Sequence, residues 1–76
     1  MRRNNPPYNG MQYVLNMSTG EIHNLDNETA NCQINKIKPE HVYSCATYDE
    51  AQMHAVMVDQ KNPNGCHHCI PEKDNG

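Results

Sequence analysis

Phenylalanine and tryptophan are missing from this chain, and no run of apolar residues is long enough to cross a bilayer. Four tyrosines are the only aromatics in 76 residues, so a core has to be made from a few aliphatic side chains. Burying one of these contributes roughly 1.5–3 kcal/mol, whereas ordering each backbone residue costs about 1–2 kcal/mol. The length accommodates one domain, and domains this short often rely on a metal, disulfides or a partner. Basic residues are also scarce: six Lys and Arg stand against nine Asp and Glu, for a net charge of −3. Arg2-Arg3 and Lys36/Lys38 are small separate pairs, far from the basic stripe of a phosphate-tracking surface. No Gly-rich phosphate loop and no Ser-His-Asp arrangement is legible. Glu40, Asp49 and Glu50 read as capping and solubility residues rather than a catalytic pair, so catalysis is not expected.

Cysteine and histidine are comparatively plentiful, with four of the first and five of the second. Cys66 and Cys69 flank His67 and His68 in a Cys-x-x-Cys knuckle, a spacing that turns two sulfurs toward one ion. Cys32 and His23 supply a second pair of donors far away in sequence. Together His23, Cys32, Cys66 and Cys69 make a tetrahedral set for one Zn2+, and the long interval between the pairs is where a clip removes the most chain disorder. Cys45 is an alternative fourth ligand in place of His23, and His67 or His68 inside the knuckle are others. Two disulfides in a secreted mini-protein are the rival account. Against it, Met1-Arg2-Arg3-Asn4-Asn5-Pro6-Pro7 has no apolar run after its basic residues, so no signal peptide is read in the chain as given and a cytoplasmic location is expected. A redox dithiol lacks a thioredoxin-like βαβ context.

Residues 1–10 are rich in Asn, Pro and Gly and read as a disordered or loosely draped lead-in. The run 11–17 alternates as a strand, with Met11, Tyr13, Leu15 and Met17 on one face and Val14 on the other. Ser18-Thr19-Gly20 is a hairpin turn with Gly20 left-handed, and Glu21-Ile22-His23 starts the return strand. Asp26 or Asn27 caps a short helix through Asn31 that delivers Cys32. Ile34 and Ile37 share one side of the next segment, Pro39 stops any helix, and 41–46 is a strand beside the hairpin. Thr47-Tyr48-Asp49-Glu50 is a capping box. It opens a helix to about Gln60 whose face of Tyr48, Ala51, Ala55 and Val58, widened by Met53, Val56 and Met57, packs on the sheet. The turn Asn62-Pro63-Asn64-Gly65 returns the knuckle, the zinc-binding domain spans 11–71, and 72–76 is a flexible tail.

This order of strand, turn, strand ending in His23, then Cys32, Ile34, Ile37, a strand, the helix opening at Tyr48-Asp49-Glu50-Ala51 and the closing Gly65-Cys66-x-x-Cys69 resembles the Ada-type zinc modules. These occur in bacterial alkylation-repair proteins, in similar small domains attached to nucleases, and alone. The resemblance covers about residues 11 to 70 and implies an Ada-like fold with zinc ligation. In the repair members all four ligands are Cys and one thiolate accepts a methyl group from a DNA phosphotriester; His23 stands where one of those cysteines would.

The expectation is therefore a small α+β domain of about three strands and two helices, closed by one structural zinc site. Its expected role is non-catalytic, through contact with another protein. The alternative is a nucleic-acid-associated Ada-like module that binds DNA or accepts a methyl group.

Overall fold

The computed structural model describes residues 2–73. The hairpin forms where the alternation and turn chemistry place it: β1 (Tyr13–Asn16) and β2 (Glu21–Asn24) pair antiparallel. The turn is locked from the Asn16 end. Its carbonyl accepts the Gly20 amide at 2.8 Å and its side-chain oxygen accepts the Ser18 amide at 2.9 Å. Gly20 takes φ +86°, and a Cβ there would lie 2.6 Å from the Asn62 carbonyl oxygen, so both backbone conformation and space require glycine.

β3 (Val42–Cys45) pairs antiparallel with the free side of β1, as expected of the segment 41–46. A fourth strand was not anticipated. β4 (Asn64–Gly65) adds parallel to β2, giving a mixed sheet of order β3-β1-β2-β4 instead of three strands. Its short ladder is continued by the Cys66 amide, which donates to the Ile22 carbonyl at 2.8 Å.

Register assigns the faces. Tyr13, Leu15, Ile22, Tyr43 and Cys45 share one face; Val14, His23, Val42 and Ser44 share the other. The first face is covered by the helix α1 (Tyr48–Met57), with Tyr13 edge-on to Tyr48 at 6.2 Å and Tyr43 stacked on His54 at 3.8 Å. Thr47 caps α1 by accepting the Glu50 amide at 3.1 Å. Leu15 and Val14 are both fully buried, as are Ile22 and His23, so this is a sheet covered on two sides and not a half-exposed one.

The second face is covered without an α-helix. The expected helix through Asn31 is instead two 3-10 turns, Leu25–Asn27 and Ala30–Cys32, separated by extended Glu28 and Thr29. Asn24, not Asp26 or Asn27, is the cap, accepting the Asp26 amide at 3.0 Å. Side-chain partners explain the break. Glu28 reaches Arg3 with both oxygens at 2.9 Å, and the Thr29 hydroxyl lies 3.7 Å from the Cys32 Sγ. Further 3-10 turns follow at Ile34–Lys36 and Pro39–His41, the latter with Pro at its start.

The lead-in lies on this same face. Ser44 Oγ donates to the Pro7 carbonyl at 2.7 Å, Tyr8 is 9% exposed, and Arg2 bridges Asp26 at 2.8 Å. At the other end, Pro71–Lys73 forms a 3-10 turn, and the remainder of the tail expected over 72–76 lies outside the described residues.

One face of α1 departs from expectation. Ala51 and Ala55 are fully buried against the sheet, but Val58, Met53, Val56 and Met57 are 64%, 66%, 49% and 73% exposed. The helix ends at Met57, before Gln60, and its contact with the sheet is a narrow stripe of Ala51 and Ala55 flanked by Tyr48 and His54.

Candidate metal centre

His23, Cys32, Cys66 and Cys69 converge at the edge of the second sheet face, all buried, with one donor atom from each lying within 4.8 Å of every other. Each arrives on a different kind of support. His23 is held in the register of β2, opposite Val14. Cys32 ends the 3-10 turn Ala30–Cys32. Cys66 leaves β4, and Cys69 closes the knuckle, whose turn is tied by the Ile70 amide donating to the Cys66 carbonyl at 2.8 Å.

The spacing suits a tetrahedral ion. Sulfurs bound at about 2.3 Å at tetrahedral corners stand about 3.8 Å apart, and a sulfur and an imidazole nitrogen about 3.6 Å apart. Here Cys66 Sγ and Cys32 Sγ are 3.7 Å apart, and Cys69 Sγ lies 3.9 Å from His23 Nδ1. The other ring nitrogen, Nε2, is buried and 3.2 Å from Glu21 Oε1, and it makes no hydrogen bond among the described residues.

Backbone N–H groups are aimed at the sulfurs. The Asn24 amide donates to Cys69 Sγ at 3.3 Å, and the amides of His68 and Cys69 donate to Cys66 Sγ. Such donors stabilise thiolate, the form that binds metal. The thiols nevertheless differ. Burial pushes Cys66 and Cys69 upward, with the neighbouring sulfurs adding to the shift at Cys69. Burial acts in the same sense on Cys32, but hydrogen bonds from Thr29 and from the Cys69 and Cys66 thiols outweigh it and hold Cys32 below its ordinary value. For His23, burial lowers the pKa against the opposing pull of Glu21 and Glu28, so the imidazole is neutral at neutral pH, as a ligand must be.

The alternatives for the fourth donor are located elsewhere. Cys45 lies on the α1 face, opposite to His23, and donates to the Thr47 carbonyl at 3.3 Å. Burial and then the Glu50 charge push its thiol up to about 11. His67 and His68 are exposed on the outside of the knuckle, their rings edge to face at 5.4 Å. All four cysteines are free thiols in this structure.

Sequence reasoning missed the residues around the donors. Glu21 precedes His23 by two positions on one strand face, and Thr29 precedes Cys32 by three, so period-two and turn spacing carried a signal for both. Asn24 and Asn27 carried none: Asn27 Nδ2 donates to the Cys69 carbonyl at 3.0 Å, a partner 42 residues away. A polar cavity of about 200 Å3, lined by Glu21, His23, Cys32 and Lys36 among others, abuts one side of the cluster.

The four residues thus form a buried group able to hold a metal ion in a domain of small α+β architecture. Compared with family models, with curated proteins and with solved structures, the chain finds no match.

Proposed function

We propose that this chain is a zinc-stabilised, non-catalytic module that works by contact with another protein. The observation that carries the metal part is the convergence of His23, Cys32, Cys66 and Cys69 with backbone amides directed at Cys66 and Cys69. One imidazole and three thiolates are a zinc donor set, and four protein donors leave no open position of the kind a catalytic zinc keeps. Mg2+ and Ca2+ prefer oxygen ligands, which this cluster lacks.

Bound zinc would supply structure: it ties β2, the turn at Cys32 and the knuckle after β4, segments that otherwise meet through few large side chains. In this reading the likeness to Ada-type modules extends to fold and ligation, while methyl capture is not part of the role. The nucleic-acid alternative has weaker support. Arg2 and Arg3 are engaged by Asp26 and Glu28, which leaves no paired arginine patch at the lead-in.

The test is metal content of the purified chain by elemental analysis, together with a thiol count and amide NMR spectra before and after chelation. One zinc per chain, with loss of amide dispersion on chelation, is expected. Dispersed resonances that survive exhaustive chelation, or sulfurs oxidised in pairs, would remove the metal reading.

A further inference from the structure

The outer side of α1 is an apolar ridge. Met53 and Met57 stand one turn apart, Val56 lies beside them and Val58 follows, all exposed. Single exposed apolar residues are ordinary, but a contiguous group on one helix face marks a contact surface. Two grooves flank the ridge. One, of about 370 Å3, runs between Met53, Met57 and Tyr43; the other, of about 480 Å3, runs between Met53, Val56 and Pro63.

Charge sorts the occupants. The first groove includes Glu50 and the second Asp49, while neither is lined by a lysine or arginine. His54 is tied to Asp59 at 3.0 Å and stacked on Tyr43, so it serves as groove wall.

We propose that this ridge docks an amphipathic helix of another protein, its apolar stripe straddling Met53 and Met57 and its flanking Lys or Arg side chains meeting Asp49 and Glu50. A ridge of residues four apart fits the groove between ridges of a second helix. Unbranched methionine adapts to such partners. Opposite charge at the rim sets orientation and excludes acidic competitors. A second copy of this chain is the poorer occupant, since it brings the same carboxylates and the same net charge of −3. Because α1 packs on the sheet face opposite to His23, the partner binds without touching the metal donors.

The inference rests on the protein-contact part of the function proposed above, and its test separates the two. Zinc content is measured first on the full chain; a sample without zinc counts against the metal reading alone. The full chain as purified, with or without zinc and labelled with 15N, is then titrated with two synthetic helical peptides that share a Leu stripe and differ in flanks of Lys or of Glu. Expected are shifts concentrated on α1 and Tyr43, binding of the Lys peptide at least tenfold tighter, and at least tenfold loss on Met53→Asp with Met57→Asp at unchanged zinc content. Asp49→Lys with Glu50→Lys should reverse the preference. Equal binding of the two peptides, shifts elsewhere or none, or sedimentation as a dimer through α1 would overturn the proposal. So would binding of α1 to phosphatidylserine vesicles without binding of the Lys peptide.

Discussion

Replacing Cys69 by serine separates a metal-closed domain from one that merely places thiols near each other. Cys69 is 1% exposed, its Sγ lies 3.9 Å from His23 Nδ1, and it accepts the Asn24 amide at 3.3 Å. Apparent binding energies of about 10–16 kcal/mol for structural zinc, spread over four donors, assign about 2.5–4 kcal/mol to each. Removing one should therefore weaken zinc binding by about 10²–10³-fold. A core this small supplies no more than about 3–5 kcal/mol on its own, so Cys69→Ser should also unfold at modest temperature. Competition with a chromophoric chelator measures the affinity, and amide dispersion reports the fold in the same sample. Cys45→Ser is the control: that thiol is equally buried, but its role is a hydrogen bond to the Thr47 carbonyl that serine can also donate. It should keep one zinc at near wild-type affinity. Cys69→Ser binding zinc as tightly as wild type, or Cys45→Ser losing the metal, would refute the assignment of donors.

Gly20→Ala should destabilise the zinc-loaded chain by at least about 1–2 kcal/mol, seen as a lower melting temperature, because it forces a left-handed L residue and a Cβ 2.6 Å from the Asn62 carbonyl oxygen. Thr47→Ala should cost about 1 kcal/mol in the same melt by removing the acceptor of the Glu50 amide at the start of α1. Cys45 makes stability sensitive to alkali. Burial raises the folded-state pKa to about 11, above the ordinary thiol value near 8.5, so the unfolded chain loses this proton first. The contribution is complete below about pH 8.5 and disappears as pH rises toward 11; wild type should fall relative to Cys45→Ser over that window in denaturant melts. At pH 8 the same shift, together with burial, should make Cys45 at least about two hundredfold slower to alkylate than an exposed thiol, read by mass spectrometry.

Local chemistry was legible where a few neighbouring residues decide the outcome. Thr47 with Glu50 signals a helix start because the cap bond spans three residues, and Asn16 to Gly20 signals a turn because the left-handed position admits little else. The four residues that converge, His23, Cys32, Cys66 and Cys69, were also the ones the sequence pointed to, since thiols at knuckle spacing have few uses in a chain with so little core. Other features had no such signal. Alternation in β1 put Val14 and Leu15 on opposite faces but carried no sign that both are buried, which follows from the turn bearing Cys32 and the lead-in lying on the second face. The helix expected before Cys32 broke because Glu28 is drawn to Arg3, 25 residues earlier.

By itself the sequence determined the turn at Gly20 and the opening of α1, each fixed by atoms within a few residues, and it offered His23, Cys32, Cys66 and Cys69 as candidates for one site. Tertiary structure alone decided which way things face. It put Cys45 and His23 on opposite sides of one sheet, added a two-residue parallel strand at Asn64–Gly65, and turned Ala51 and Ala55 to the sheet while leaving Met53, Val56 and Met57 outside. Those outcomes depend on backbone bonds and close contacts between segments far apart in the chain, which leave no pattern in the order of the residues.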